Sequence, residues 1–200
     1  MCYNVNKTPC VSHGIGRMCG GNMMRKNEIY KMTVSAVSLA LAYVLPFFTG
    51  QIPEIGAMLC PMHIPVLLCG YIAGWRWGAA VGFISPLLRS LTLGMPPLFP
   101  VAVCMAVELA VYGLSSGILH KLLPSRGGFV YCSLIVSMIL GRLVWGAAMF
   151  FLLFATGGAF TFAAFITGAI TGALPGIVIQ IVIIPPLVLI IERGISRRYA

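Results

Sequence analysis

From Glu28 onward the chain is a succession of apolar stretches with almost no polar alternation, broken by short clusters of proline, glycine and charge. Runs of this kind show neither the two-residue period of a half-buried strand nor the wet face of a soluble helix, so they read as helices that are apolar all round. Six segments emerge: Glu28–Phe48, Met58–Trp75, Trp77–Leu93, Phe99–Leu123, Phe129–Ala155 and Phe160–Ile191. A helix needs about 20 residues to cross a bilayer, which makes the second and third short for straight crossings and the sixth long enough to tilt or bend. Pro175, Pro185 and Pro186 give that bend a cause. Residues 1–26 are polar, glycine-rich and aperiodic, which predicts either a mobile N-terminal tail or the product of an upstream start codon. The remaining organisation is a membrane domain over 27–192 and a basic C-terminus over 193–200.

Composition strengthens this reading. Of 200 residues, 60% are hydrophobic and 8% charged, against roughly 25% charged in a soluble domain. The predicted fold class is therefore an all-α integral membrane protein, a six-transmembrane-helix bundle, placed in a prokaryotic cell membrane. Thirteen Lys and Arg oppose four acids, Glu28, Glu54, Glu108 and Glu192. With no nucleic-acid motif in the chain, this excess speaks for membrane lipids and topology. If both termini are cytoplasmic, the tail, the 2/3 turn, the 4/5 loop and the C-terminus hold eleven of the thirteen, leaving Arg89 and Arg142. The outward 1/2 and 5/6 loops contain no Lys or Arg, which fits six crossings. The seven cysteines and three histidines are too scattered for a disulfide framework or a metal cluster, so no metal and no cofactor is expected.

Arg142 is the residue least at home. It stands in "SMILGRLVWGAAMFFLLFA", 13 residues into a run of 27 that begins at Phe129. A guanidinium keeps its proton, and its exposure to lipid at that depth costs roughly 2.5 kcal/mol or more. Three readings stay open: an ion pair with Glu108, contact with an anionic substrate, or snorkelling to the headgroups. The first two can coexist, because an empty site needs a resident counter-charge. Arg89, at the outward end of the third segment, either joins a lid built on "SLTLGMPPLFP" or snorkels. The outward loop "PFFTGQIPEIGAMLCP" is either a cap over the bundle, with Gln51 and Glu54 supplying polarity, or an interfacial turn. His63 and Gln180 lie where a small polar molecule in the outer half would reach them, although a helix-end or core histidine and an interhelical glutamine are the plainer readings. Small residues four apart, Ala36 with Ala40 and Gly113 with Gly117, mark faces open to close helix approach.

No GxxxxGK[ST] phosphate loop is present, so ATP-driven work would need other subunits. No convincing internal repeat points to a secondary transporter. The stretches "PMHIPVLLCG" and "SPLLRSLTLGMPPLFP", within Leu45–Gly113, resemble the substrate-binding S component of energy-coupling factor (ECF) vitamin transporters, and the similarity spans about residues 30–192. The resemblance implies a six-helix bundle that captures a vitamin or precursor from outside. It implies as partners a transmembrane T subunit and two ATPases, and no covalent chemistry in this chain. Within the family the sequence is most similar to the pantothenate group. The resemblance places the T-subunit docking pair at Ala36 and Ala40 and the first outward lid at Phe47–Leu59. It assigns no pocket residues; Arg142, Glu108, Gln180, Arg89, His63, Gln51 and Glu54 are substrate-site candidates on physical grounds alone. The alternative from another class is a non-transporting membrane scaffold or assembly protein, which would need no polar cavity.

Overall fold

A computed structural model of the chain describes residues 16–48, 61–123, 127–155 and 174–198. Among these the fold is helical throughout: α1 (Gly16–Phe48), α2 (His63–Ala73), α3 (Trp75–Leu93), α4 (Val103–Leu122), α5 (Gly127–Ala155) and α6 (Leu174–Arg198). Each overlaps one of the six apolar segments. α1 begins at Gly16, within the stretch read as a tail, and α6 continues to Arg198, within the basic C-terminus. Residues 156–173, which hold the first part of the sixth segment, and the loop with Gln51 and Glu54 lie outside the described residues.

Among the described residues, three stretches are long and apolar enough to cross a membrane: Glu28–Phe47, Leu98–Leu122 and Gly128–Ala155. α2, with 11 residues, extends only about 16 Å at 1.5 Å per residue, roughly half of a hydrocarbon core. It joins α3 through Gly74, whose φ of 95° is open to glycine and strained for other residues. α3 closes at Gly94, a left-handed C-cap whose N–H donates to the Ser90 carbonyl at 2.9 Å. Pro96 and Pro97 follow, and a wide turn over Leu98–Ala102 with an extended Phe99 leads into α4.

α4 is central, packed on α2, α3 and α5; α1 lies against α2 and α3, and α6 against α5 and α2. The closest seam is α3 on α4. A Cβ on Gly78 would come within 2.7 Å of the Gly113 carbonyl oxygen, and one on Gly82 would overlap the Leu109 carbonyl. Backbone therefore meets backbone along this pair, as small-residue faces permit.

The distribution of side chains is inverted relative to a soluble protein. Phe83, Leu91, Leu143, Phe151, Phe154 and Ile190 face outward, whereas Ser35, His63, Arg89, Glu108, Ser137 and Gln180 are buried. Water would penalise such a surface, and lipid suits it. Val66, Leu67, Leu109, Leu134, Ile184 and Val188 fill the space between helices.

Candidate functional site

The polar centre is built on α4. Cys104, Glu108 and Tyr112 recur every four residues and so share one face of that helix. Glu108 is only 1% exposed, and three groups converge on its Oε1. The Tyr112 hydroxyl, one turn along the same helix, donates to it at 3.0 Å. Arg142 Nη1 approaches from α5 at 3.2 Å, and His63 Nε2, at the first residue of α2, lies 3.6 Å away. The imidazole also tilts against the Tyr112 ring, with centroids 5.1 Å apart. Gly141 makes this convergence possible, because a Cβ there would run into the Tyr112 ring. One turn from Glu108, the Cys104 thiol meets Met149 Sδ at 3.9 Å, giving the charged pair a soft apolar neighbour.

The electrostatics follow from the pairing. A buried cation and a buried anion each carry a desolvation cost of several kcal/mol, which their mutual attraction offsets only while both are present. Among the described residues, His63 Nδ1 and Nε2, Ser137 Oγ and Gln180 Oε1 are buried without a hydrogen-bond partner, and of these the His63 ring lies beside the pair. A buried polar atom left unsatisfied costs about 1–3 kcal/mol, so the interior holds unused capacity for hydrogen bonds. A permanent cation, a carboxylate, a hydroxyl and an imidazole thus meet in an apolar interior, groups able to hydrogen-bond a polar, charged ligand.

The structure thus brings together three of the sequence candidates, His63, Glu108 and Arg142. Arg142 adopts the ion pair with Glu108 that was one of its three readings. Gln180 is buried on α6, in the stripe continued by Ile184 and Val188, and no described hydrogen bond joins it to the cluster. Arg89 sits elsewhere: it is buried, its Nη1 donates to the Tyr43 carbonyl at 3.2 Å, and its guanidinium lies 5.4 Å from the centre of the Phe47 ring. Burial removes the snorkelling alternative for Arg89. Ala36 and Ala40 are exposed on α1, on the side away from the buried Ser35, Ser38 and Ala42. Sequence reasoning missed Tyr112, Ser137 and Gly141. The four-residue step from Glu108 to Tyr112 was the available signal for the first, and the glycine immediately before Arg142 for the last.

With this geometry, residues 30–188 match the family of the ECF transporter, substrate-specific component. The chain belongs to that family. No curated protein and no solved structure matches it. As an ECF substrate-specific component the protein is a membrane-embedded transporter subunit that recognises a small substrate and is not itself catalytic.

Proposed function

We propose that this S component captures a small anionic vitamin or precursor, of which pantothenate is the best chemical match, and delivers it across a prokaryotic plasma membrane together with an ECF T subunit and two ATPase subunits. In this reading the six helices all cross or line the bilayer, both termini are cytoplasmic, and the ends of α1 and α3 with the starts of α2 and α4 face outward. The observation that carries it is the convergence of Arg142, Tyr112 and His63 on Glu108 inside an otherwise lipid-facing bundle. Pantothenate offers a carboxylate for Arg142 and two hydroxyls and an amide for partners such as His63, Ser137 and Gln180. Glu108 serves as resident counter-charge and as an acceptor for a substrate hydroxyl.

Titration calorimetry on the purified subunit tests the reading. Pantothenate is expected to bind, and its amide, which lacks the charge, to bind more weakly. Arg142→Leu should reduce the affinity for the acid by about 1.5–3 kcal/mol, the worth of a charge-assisted hydrogen bond. Equal binding of acid and amide by the parent protein would refute the arginine–carboxylate contact.

The exposed pair Ala36 and Ala40 is the proposed docking face for the T subunit. Their small side chains, four residues apart on the outer side of α1, leave room for another helix to approach closely. Exchange of both for leucine should leave pantothenate affinity of the solitary subunit unchanged within about twofold while uptake by the assembled transporter falls to background. Equal loss of binding and uptake would instead assign the pair to internal packing.

A further inference from the structure

We infer that Arg89 is a positioning residue that fastens α1 to the rest of the bundle, so that displacement of α1 is transmitted to the helices that hold the substrate site. The inference rests on the reading of α1 as the docking helix, and it assigns Arg89 a mechanical role where the sequence offered a lid or a substrate contact.

The argument begins with how α1 is held. Its buried side carries Ser35, Ser38 and Ala42, with Val34 and Leu39 packed against the core. In lipid there is no hydrophobic force driving helices together, so close packing and polar ties decide the strength of a seam. At mid-helix the tie is weak, a Cys69 thiol 3.6 Å from Ser35 Oγ, whose own proton goes to the Lys31 carbonyl at 2.7 Å. At the far end the tie is strong. Arg89 donates from α3 to the Tyr43 carbonyl, one turn before α1 ends at Phe48, and lies over the Phe47 ring.

Three effects add there. The hydrogen bond is charge-assisted; the guanidinium occupies the negative end of a helix dipole; and the Phe47 ring presents its π-face to the cation. Among the described residues Arg89 meets the end of α1, where Arg142 meets a carboxylate. From Arg89 the connection continues along α3, through the backbone contacts of Gly82 and Gly78, into α4 and Glu108.

The test uses the complete transporter, with T and ATPase subunits, reconstituted in vesicles with radiolabelled pantothenate. Arg89→Met should leave pantothenate affinity of the solitary subunit within about threefold and association with the T subunit intact. Uptake should fall tenfold or more while ATP hydrolysis continues, so that the ATP consumed per substrate rises. Arg89→Lys, which keeps the charge and one donor, should recover part of the uptake. Parental uptake by Arg89→Met overturns the inference, as does an affinity loss that matches the uptake loss and would make Arg89 a substrate contact. Should Arg89→Met fail to fold, Arg89→Lys and Phe47→Leu decide by the same comparison: reduced uptake at unchanged affinity supports the role, and unchanged uptake removes it. A parent protein that neither binds pantothenate nor associates with the T subunit would instead defeat the functional reading beneath it.

Discussion

Replacement of Glu108 by leucine should destabilise the folded protein by about 3–5 kcal/mol, the range for breaking a buried ion pair from one side. The reason lies in what the carboxylate holds. Its Oε1 accepts from Tyr112 and faces Arg142 and His63, so one truncation removes the counter-charge of a permanent cation and the acceptor of a buried hydroxyl together. Chemical unfolding in mild detergent reads the effect. The double variant Glu108→Leu with Arg142→Leu should regain most of the loss, because a buried pair exchanged for apolar side chains is often neutral in stability. Pantothenate binding should be absent from both variants. Recovery of folding without binding separates the pair's role in recognition from its role in stability. Additive destabilisation in the double variant would show that the two charges do not act as a unit.

Gly113→Val should be as damaging through a different mechanism. A Cβ at this position overlaps the carbonyl of Gly78 on α3, and neither partner has a side chain that can move aside. Overpacking costs about 1–3 kcal/mol where neighbours can shift. Here whole helices must separate, so the expected loss is at the top of that range or above it, with little monodisperse protein in detergent. Gly128→Val is the matched control. Among the described residues nothing lies within 4 Å of a Cβ placed there, so size-exclusion profile and thermal midpoint should match the parent. A monodisperse Gly113→Val with a parental midpoint would contradict the close α3–α4 contact.

The helices were legible because apolar runs of this length have few other fates, although the break between α2 and α3 falls at Gly74, inside the stretch read as the second segment. The pairing of Arg142 with Glu108 was legible for a related reason. Deep in an apolar bundle a cation needs an anion, and Glu108 was the acid lodged well inside a segment. Arg89 was harder to read because its partner is the carbonyl of Tyr43, 46 residues away. Every residue has a carbonyl, so the contact leaves no trace in residue identity. Tyr112 escaped because an aromatic in an apolar segment is ordinarily packing material, and only the fold turns its hydroxyl toward Glu108. The start of α1 at Gly16 had no hydrophobic period to announce it.

The glycine seam between α3 and α4 bears on which parts of the protein can change shape. Sliding of one helix past another proceeds by small adjustments in which interdigitated side chains hop between rotamers. Where Gly78 and Gly82 meet the backbone at Gly113 and Leu109, there are no rotamers to hop, and displacement along the seam would drive carbonyl oxygens into α-carbons. α3 and α4 therefore travel as one body. Any reshaping of the polar centre during the transport cycle must be taken up at the borders of α5 and α6, where side chains form the contact, and α3–α4 is the frame of reference against which those movements should be measured.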